Sequence, residues 1–353
     1  MRAIVVKEFR ELRRDRRTLA MLVVLPVLLL VIFGYAASFT VDSLRTVVVG
    51  PQASAAASAL PPLFAVDRVE PGSDTADAKD ILRRRGAQVV IDTTTAPPTA
   101  WVDGADLFAA QTAVGALARA GDTIDTQVLF NPDLTTSWYM VPALIGLILT
   151  FIGTIITSIG LVRERESGTL EQLAVMPFRP SEVILGKIAP YFLLASVDLL
   201  LVTVLGIVVF GVPFAGNVVV FAFGAAVFLF VVLGMGVLIS TISKSQGQAI
   251  QGALFVVMPQ ILLSGMIFPL ASMSWTVRWI GYCLPLSYFT MVNRGLMLRG
   301  TPIDAPTVWA PLAVLVLMAV VIFTLAVLRF RRDLAPTRGT RSASPAVEVP
   351  PGG

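Results

Sequence analysis

Residues 163–187 read RERESGTLEQLAVMPFRPSEVILGK and form a charged connection between two long apolar runs. The first four residues alternate in charge, and Gly168 is expected to end the helix that leads into them. Pro177 and Pro180 interrupt any helix that starts after Gly168. An apolar run on each side of a patterned charged segment predicts a structured loop at the mouth of two membrane spans.

A short helix is predicted inside this connection. Thr169 and Gln172 have the spacing of a capping box, and Ser181 is placed to cap the helix that follows. The apolar residues of the short helix share one face, and they are Leu170, Leu173 and Ala174. A helix that is charged outside and apolar along one face suits contact with a soluble partner. An ordinary loop flanking the membrane is the alternative.

The connection resembles a motif of the type-2 ABC exporter permeases, the membrane subunits of drug and polysaccharide exporters. In that family the pattern R-E-x-E-x-G-T-x-E-x-L…P…x-x-x-L-G-K joins the second and third spans. Its positions here are Arg163, Glu164, Glu166, Gly168, Thr169, Glu171, Leu173, Pro177, Leu185, Gly186 and Lys187.

A second segment carries the same resemblance. Residues 262–289, LLSGMIFPLASMSWTVRWIGYCLPLSYF, are similar to the S-G-x-x-F-P…M-P…P-L-x-Y-F signature of that family. The chain departs from the signature at Ser274, where the family has proline after methionine, which affects the local turn. Two motifs at the right separation make the resemblance specific, and it covers nearly the whole chain.

The resemblance implies a transporter subunit rather than an enzyme. ATP and Mg²⁺ would be bound by a separate ABC ATPase subunit, and this chain would pair with a second copy or with a similar permease. The residues expected to couple the permease to the ATPase are Arg163, Glu164, Arg165, Glu166, Gly168, Thr169, Leu170, Glu171 and Leu173.

Composition excludes several other functions. The 353 residues are 56% hydrophobic and 14% charged, which is not the composition of a soluble globular chain. There is no histidine and only one cysteine, Cys283, so histidine acid–base chemistry and cysteine zinc sites are excluded. Gly186-Lys187 is the only Gly-Lys pair and is not part of a P-loop. No stretch of the sequence alternates basic and aromatic residues in the way that a nucleic-acid-binding surface does, so a nucleic-acid partner is not predicted.

The predicted fold is an α-helical membrane protein with six transmembrane helices and an α+β insertion outside the cell. The predicted spans are residues 19–40, 139–162, 188–212, 218–242, 249–270 and 309–328. The other predicted parts are a basic amphipathic helix on the membrane lipid (1–18), the α+β domain (41–137), an outer re-entrant segment (271–306) and a disordered tail (331–353). Cleavage of the N-terminal segment as a signal peptide is the alternative for residues 1–40.

Charge distribution predicts the orientation in the cell membrane. Six spans place both termini on one side, and the segments on that side hold 17 of the 27 Lys and Arg residues. Most of the remaining basic residues lie in the large insertion, which counts little toward orientation. Both termini and the 163–187 connection are therefore predicted to be cytoplasmic. Within the insertion, Arg83, Arg84 and Arg85 could bind an anionic headgroup or form a solvated helix end.

Candidate residues for a transport pathway lie in three spans. Gly146, Thr150, Gly153, Thr157 and Gly160 share one face of the second span, which suits either helix packing or a pathway wall. Asp198 in the third span is either a contact for a cationic substrate group or a hydrogen-bond partner of a neighbouring helix. The fifth span supplies Met258, Gln260, Ser264 and Met266, together with two prolines that allow bends.

The predicted function is export of an apolar or amphipathic small molecule or lipid. A membrane receptor or assembly protein with a ligand-binding outer domain is the alternative from another class. An intramembrane enzyme is disfavoured because histidine and paired intramembrane carboxylates are absent from the sequence.

Overall fold

The computed structural model describes residues 41–119, 124–167 and 180–334. The predicted helix 1–18, the predicted first span and the expected coupling residues Gly168, Thr169, Leu170, Glu171 and Leu173 lie outside the described residues, as does the tail beyond Leu334.

An α/β unit begins the described chain. Its five strands are β1 (Leu44–Val49), β2 (Phe64–Glu70), β3 (Val89–Asp92), β4 (Thr99–Asp103) and β5 (Asp125–Leu129). They are ordered β2-β1-β3-β4-β5, and all neighbours are parallel except β3 and β4. The helices are α1 (Ala53–Ala59), α2 (Thr75–Arg83) and α3 (Leu107–Arg119).

The strands of this unit form because their apolar residues are buried in its core. Val47, Val48 and Val49 are fully buried because β1 is an inner strand, between β2 and β3, with apolar residues on both faces. Sequence patterns indicate four of the five strands. They do not indicate β4, a five-residue strand, Thr-Ala-Trp-Val-Asp, that directly follows the Ala96-Pro97-Pro98 turn.

Four described helices are long and apolar enough to cross a membrane. They are α4 (Thr136–Glu166), α5 (Pro180–Phe210), α6 (Val218–Ile242) and α10 (Pro306–Leu334). Two boundaries were predicted incorrectly. The helix α5 begins at Pro180, so Ser181 lies inside it, and α10 continues to Leu334 into the segment 331–353 that was expected to be disordered.

The predicted fifth span, residues 249–270, is wrong after Leu263. There α7 (Gln246–Leu263) ends, and Gly265 takes a left-handed conformation with φ of 82°, which turns the chain. A 3₁₀ turn (Leu270–Ser272), α8 (Trp275–Tyr282), α9 (Pro285–Arg294) and a π-helical turn (Gly295–Arg299) follow. These short elements occupy most of the segment 271–306 that was predicted to be re-entrant.

Helices α4 and α6 pack closely at the centre of the bundle. A Cβ atom on Gly236 of α6 would lie 2.8 Å from the Thr157 Cβ atom and 2.9 Å from the Thr154 carbonyl oxygen. A Cβ atom on Gly153 of α4 would lie 3.1 Å from Val232. Small residues thus allow the two backbones to approach each other. Within the most apolar stretch of each helix, 56% of the residues are buried in α4 and in α6, but only 17% in α5. Helix α5 therefore lies at the periphery of the described helices.

The α/β unit is joined to one end of the bundle. The buried side chains of Asp103 and Arg299 form an ion pair of 2.8 Å, which links the end of β4 to the π-helical turn. The Thr301 and Thr307 hydroxyls donate to the carbonyls of Arg83 and Arg84 at 3.1 and 3.0 Å. The C-terminal end of α4 and the α6–α7 turn lie at the opposite end of the bundle.

Close packing of α4 and α6 yields a test of the fold. We expect Gly236→Ala to destabilise the purified protein by about 1–3 kcal/mol, because the contacted atoms include helix backbone that cannot move aside. Thermal unfolding in detergent measures the effect. Gly186→Ala on α5 is the matched control, since no atom of residues 41–119, 124–167 and 180–334 lies within 4 Å of its added Cβ atom. Equal unfolding midpoints for the two variants would contradict the packing described here.

Candidate functional site

The C-terminal end of α4 is bonded to the end of α6. The Arg165 Nη1 atom donates to the carbonyl of Ser240 at 3.1 Å and to that of Ser243 at 3.2 Å. Carbonyls in the last turn of a helix lack a helical partner, and a cation there is also stabilised by the helix dipole. Arg165 therefore gives the free carbonyls at the end of α6 a hydrogen-bond donor and attaches α6 to α4.

Two acidic residues of α4 reach the neighbouring helices. The Glu166 carboxylate accepts from the Gln246 side-chain nitrogen at 2.7 Å and from the Gln246 backbone nitrogen at 3.3 Å, at the first residue of α7. Glu164 forms an ion pair with Lys187 of α5, and the Lys187 side chain is largely buried. This end of α4 is therefore bonded to α5, α6 and α7.

These contacts show that three of the expected coupling residues bind other helices of this chain. Glu164, Arg165 and Glu166 were expected to contact a partner, and the structure places them in contacts between helices of this chain. Arg163 is exposed. The sequence reading did not identify Gln246, although its position after the short polar turn between two apolar helices placed it on the same predicted side as residues 163–187.

The small residues of α4 lie inside the chain. Gly146 faces Leu286 and Phe289 of α9, and Gly153 faces Val232 of α6. Thr150 is buried and its hydroxyl donates to the Gly146 carbonyl at 2.7 Å. The buried Thr157 packs against Gly236, as described above. In the described chain this face of α4 therefore serves helix packing, which is one of the two roles considered for it.

The candidates of the predicted fifth span lie on α7 and in the turn after it. Gln260 is fully buried and its Oε1 atom accepts from the Leu286 backbone nitrogen at 3.4 Å. Ser264 and Met266 are also buried, and the Met266 carbonyl accepts a hydrogen bond from Arg294 of α9. Met258 is only half-buried. The structure thus brings Gln260 and Gly146 both against Leu286 of α9, and Met266 against Arg294 of the same helix.

Asp198 lies apart from these groups, on the peripheral helix α5. Its side chain is half-buried among exposed apolar residues that include Leu194, Val197 and Leu201. Its Oδ2 atom is buried, and within residues 41–119, 124–167 and 180–334 no hydrogen-bond donor reaches it. The described helices therefore do not supply the neighbouring partner that the structural alternative for Asp198 requires.

The chain is similar to known transporter proteins over most of its length. The family described as ABC-2 family transporter protein matches residues 16–328. The probable multidrug ABC transporter permease YbhS of Escherichia coli K12 is 31% identical over 334 residues, which cover 85% of this chain and 89% of that protein. The probable multidrug ABC transporter permease YbhR of the same organism is 30% identical over 363 residues, covering 94% and 98%.

A more distant similarity reaches a eukaryote. The ABC transporter G family member 20 of Dictyostelium discoideum is 28% identical over 207 residues, which cover 58% of this chain and 28% of that larger protein. The family match extends over most of the chain, and the two permease relatives align over nearly their full length. Together with the four helices that are long and apolar enough to cross a membrane, these matches show that the chain is a permease that belongs to the ABC-2 family of transporter proteins.

Proposed function

We propose that this permease is the membrane subunit of an ATP-driven exporter, energised by a separate ATPase chain that docks at the 163–187 connection. The observation that carries the proposal is the polar network at the C-terminal end of α4. Arg165, Glu166 and Glu164 join α4 to α5, α6 and α7, so force applied at this one connection acts on four helices at once.

These 353 residues contain no P-loop, so under this proposal ATP would be bound by the ATPase subunit. The residues from Gly168 to Leu173 would dock into a groove of that partner as a short amphipathic helix. Two permease chains, identical or similar, would pair to complete the pathway, with ATP and Mg²⁺ held by the ATPase subunits. The relatives named as multidrug permeases favour an apolar or amphipathic substrate.

The proposed orientation places the connection in the cytoplasm and the α/β unit outside. Basic residues favour the cytoplasmic side, and the segments at the α4 C-terminal end, with the two termini, hold 17 of the 27 Lys and Arg residues. At the other end Trp275, Trp279 and Trp309 are exposed, as expected for aromatic residues at the outer membrane interface. Both termini would be cytoplasmic, with six spans in total.

Thiol labelling tests this orientation. In a Cys283→Ser background, which removes the exposed native cysteine, Gly72→Cys in the α/β unit should react with a membrane-impermeant maleimide on intact cells. Ser167→Cys at the opposite end should react only after the cells are opened. Both positions are exposed. If only Ser167→Cys is labelled on intact cells, the orientation in the membrane is the opposite of the one proposed.

The network yields a prediction about coupling. Glu166→Ala should lower ATP-driven transport about fivefold, because loss of a charged hydrogen bond at an exposed site costs about 1 kcal/mol. Transport in proteoliposomes, together with co-purification of the ATPase, measures the effect. Gln246→Ala removes the other partner, so the double variant should be no worse than either single variant.

Glu171→Ala separates docking from transmission. It should weaken co-purification of the ATPase, whereas Glu166→Ala should leave co-purification intact. If the Glu166→Ala and Gln246→Ala losses simply add, the two residues act independently and the network does not transmit force. If Glu171→Ala, Glu166→Ala and Gln246→Ala all transport normally, the connection is not the coupling element.

Asp198 yields a prediction about substrate charge. A carboxylate oxygen without a partner among the described residues can pair with a cationic group of a passing substrate. Asp198→Asn should then reduce export of a cationic dye about tenfold, while export of a neutral dye of similar size stays within about twofold. Equal effects on the two dyes would assign Asp198 a structural role instead.

A further inference from the structure

A cavity of about 280 Å³ lies where the α/β unit meets the membrane helices. Its lining combines residues of the α/β unit with the start of α4, the turn after α7, and α9 with the π-helical turn that follows it. Four arginines line it, which are Arg45, Arg85, Arg294 and Arg299. The network at the other end of the bundle does not involve this cavity.

The three consecutive arginines at the end of α2 have separate roles. Arg83 is exposed to solvent. Arg84 donates to the Asp80 and Asp304 carboxylates, both at 2.6 Å. Arg85 lines the cavity, with its backbone in the left-handed region at φ of 60°. Its guanidinium has no hydrogen bond and no ion pair with the described residues, so it is a cation without a partner at the cavity wall.

Arg294 is held only by neutral groups. Its guanidinium donates to the carbonyls of Tyr139 at 3.1 Å, Gly265 at 2.9 Å and Met266 at 3.2 Å. It also lies 3.5 Å from the centre of the Tyr139 ring. These contacts fix the guanidinium in place, and among the described residues no carboxylate forms an ion pair with it.

The charges at the cavity do not balance. Asp103 neutralises Arg299 through their buried ion pair. Burial raises the pKa of the Asp103 carboxyl, and the charge of Arg299 opposes that rise. Asp106, whose carboxylate accepts from Gln88 at 3.0 Å, is the other acid at the wall. Three arginines then face one carboxylate, which leaves about two uncompensated positive charges.

Two hydroxyl groups supply a second, independent observation. Ser264 is 1% exposed and Thr290 is 2% exposed, and both line the cavity. Neither hydroxyl oxygen has a hydrogen-bond partner among the residues that the structure describes. Buried hydroxyls normally have a partner, so these two donors indicate that a polar group completes the site.

We propose that this cavity binds a phosphate-type oxyanion, with Arg85 and Arg294 supplying charge and Ser264 and Thr290 supplying hydroxyl donors. Arginine guanidinium groups match phosphate geometry and pair with it strongly. The volume of about 280 Å³ holds a phosphate or a phospholipid headgroup and lies just below the range of about 300–1,000 Å³ for pockets of drug-sized molecules. Tyr139 lies in the first turn of α4, so the site sits at the level where that span meets the membrane surface.

The oxyanion can come from two sources, and two measurements on the full-length purified protein distinguish them. In detergent, thermal unfolding is followed while inorganic phosphate replaces chloride at constant ionic strength. In parallel, native mass spectrometry counts the phosphatidylglycerol retained after extraction from membranes of phosphatidylcholine and phosphatidylglycerol. Stabilisation by inorganic phosphate indicates a free anion. Retained phosphatidylglycerol without stabilisation by phosphate indicates a headgroup.

The variants test the residues. Arg85→Gln should require about tenfold more phosphate for the same stabilisation, or lose the retained phosphatidylglycerol, because it removes a charged hydrogen-bond donor. Arg83→Gln is the matched control, since it makes the same change two residues away on an exposed side chain, and it should behave as the wild type. Thr290→Val, which keeps the side-chain shape, should weaken binding while leaving the net charge unchanged.

The outcomes are decisive in each arm. If wild type, Arg85→Gln and Arg83→Gln respond alike to phosphate and retain the same lipid, the proposal is wrong. If Arg85→Gln does not fold, Thr290→Val decides by the same criterion. If Arg83→Gln loses as much binding as Arg85→Gln, the effect comes from surface charge and the proposal is also wrong. None of these measurements depends on transport or on the ATPase.

Discussion

The buried ion pair between Asp103 and Arg299 determines how the α/β unit sits on the helices. Both side chains are almost completely removed from water, with exposures of 1% and 4%. Removing one partner of such a pair costs about 3–5 kcal/mol because the other charge stays buried. The exposed pair between Arg84 and Asp304 contributes far less. The unit is therefore held in one orientation, and the arginine cavity exists only because that orientation is maintained.

Helix α4 connects the two functional ends of the molecule. It has 31 residues and is about 45 Å long, with Tyr139 at the cavity and Glu166 in the polar network. Its close packing against α6 through Gly153 and Gly236 makes the two helices move as one body. If the proposed coupling is correct, a displacement at Glu166 also moves the wall of the arginine cavity. Occupancy of the cavity and the position of the network would then influence each other.

Much of the fold could be predicted because it depends on local pattern. The helices α4, α5, α6 and α10 follow directly from long apolar runs, and α6 has the predicted bounds of 218–242. The end of α7 could not be predicted in this way, because the apolar run continues to Leu270 and the break depends on the left-handed turn at Gly265. Strand β4 was missed because it is stabilised by β3 and β5 rather than by its own composition.

The candidate sites were less predictable because they depend on contacts between distant residues. Arg83, Arg84 and Arg85 are equivalent in sequence, yet one is solvated, one is paired with Asp304 more than 200 positions away, and one lines the cavity. The apolar pattern places Ser264 in the predicted fifth span but cannot show that its hydroxyl lacks a partner, among the described residues, in the cavity that Arg294 also lines. In the same way, the charges of Glu164, Arg165 and Glu166 suggest a partner protein until their bonds to α5, α6 and α7 are seen. A charged motif at a helix end therefore has two roles that the sequence cannot separate. It can bind a partner, and it can join the helices on which that partner acts.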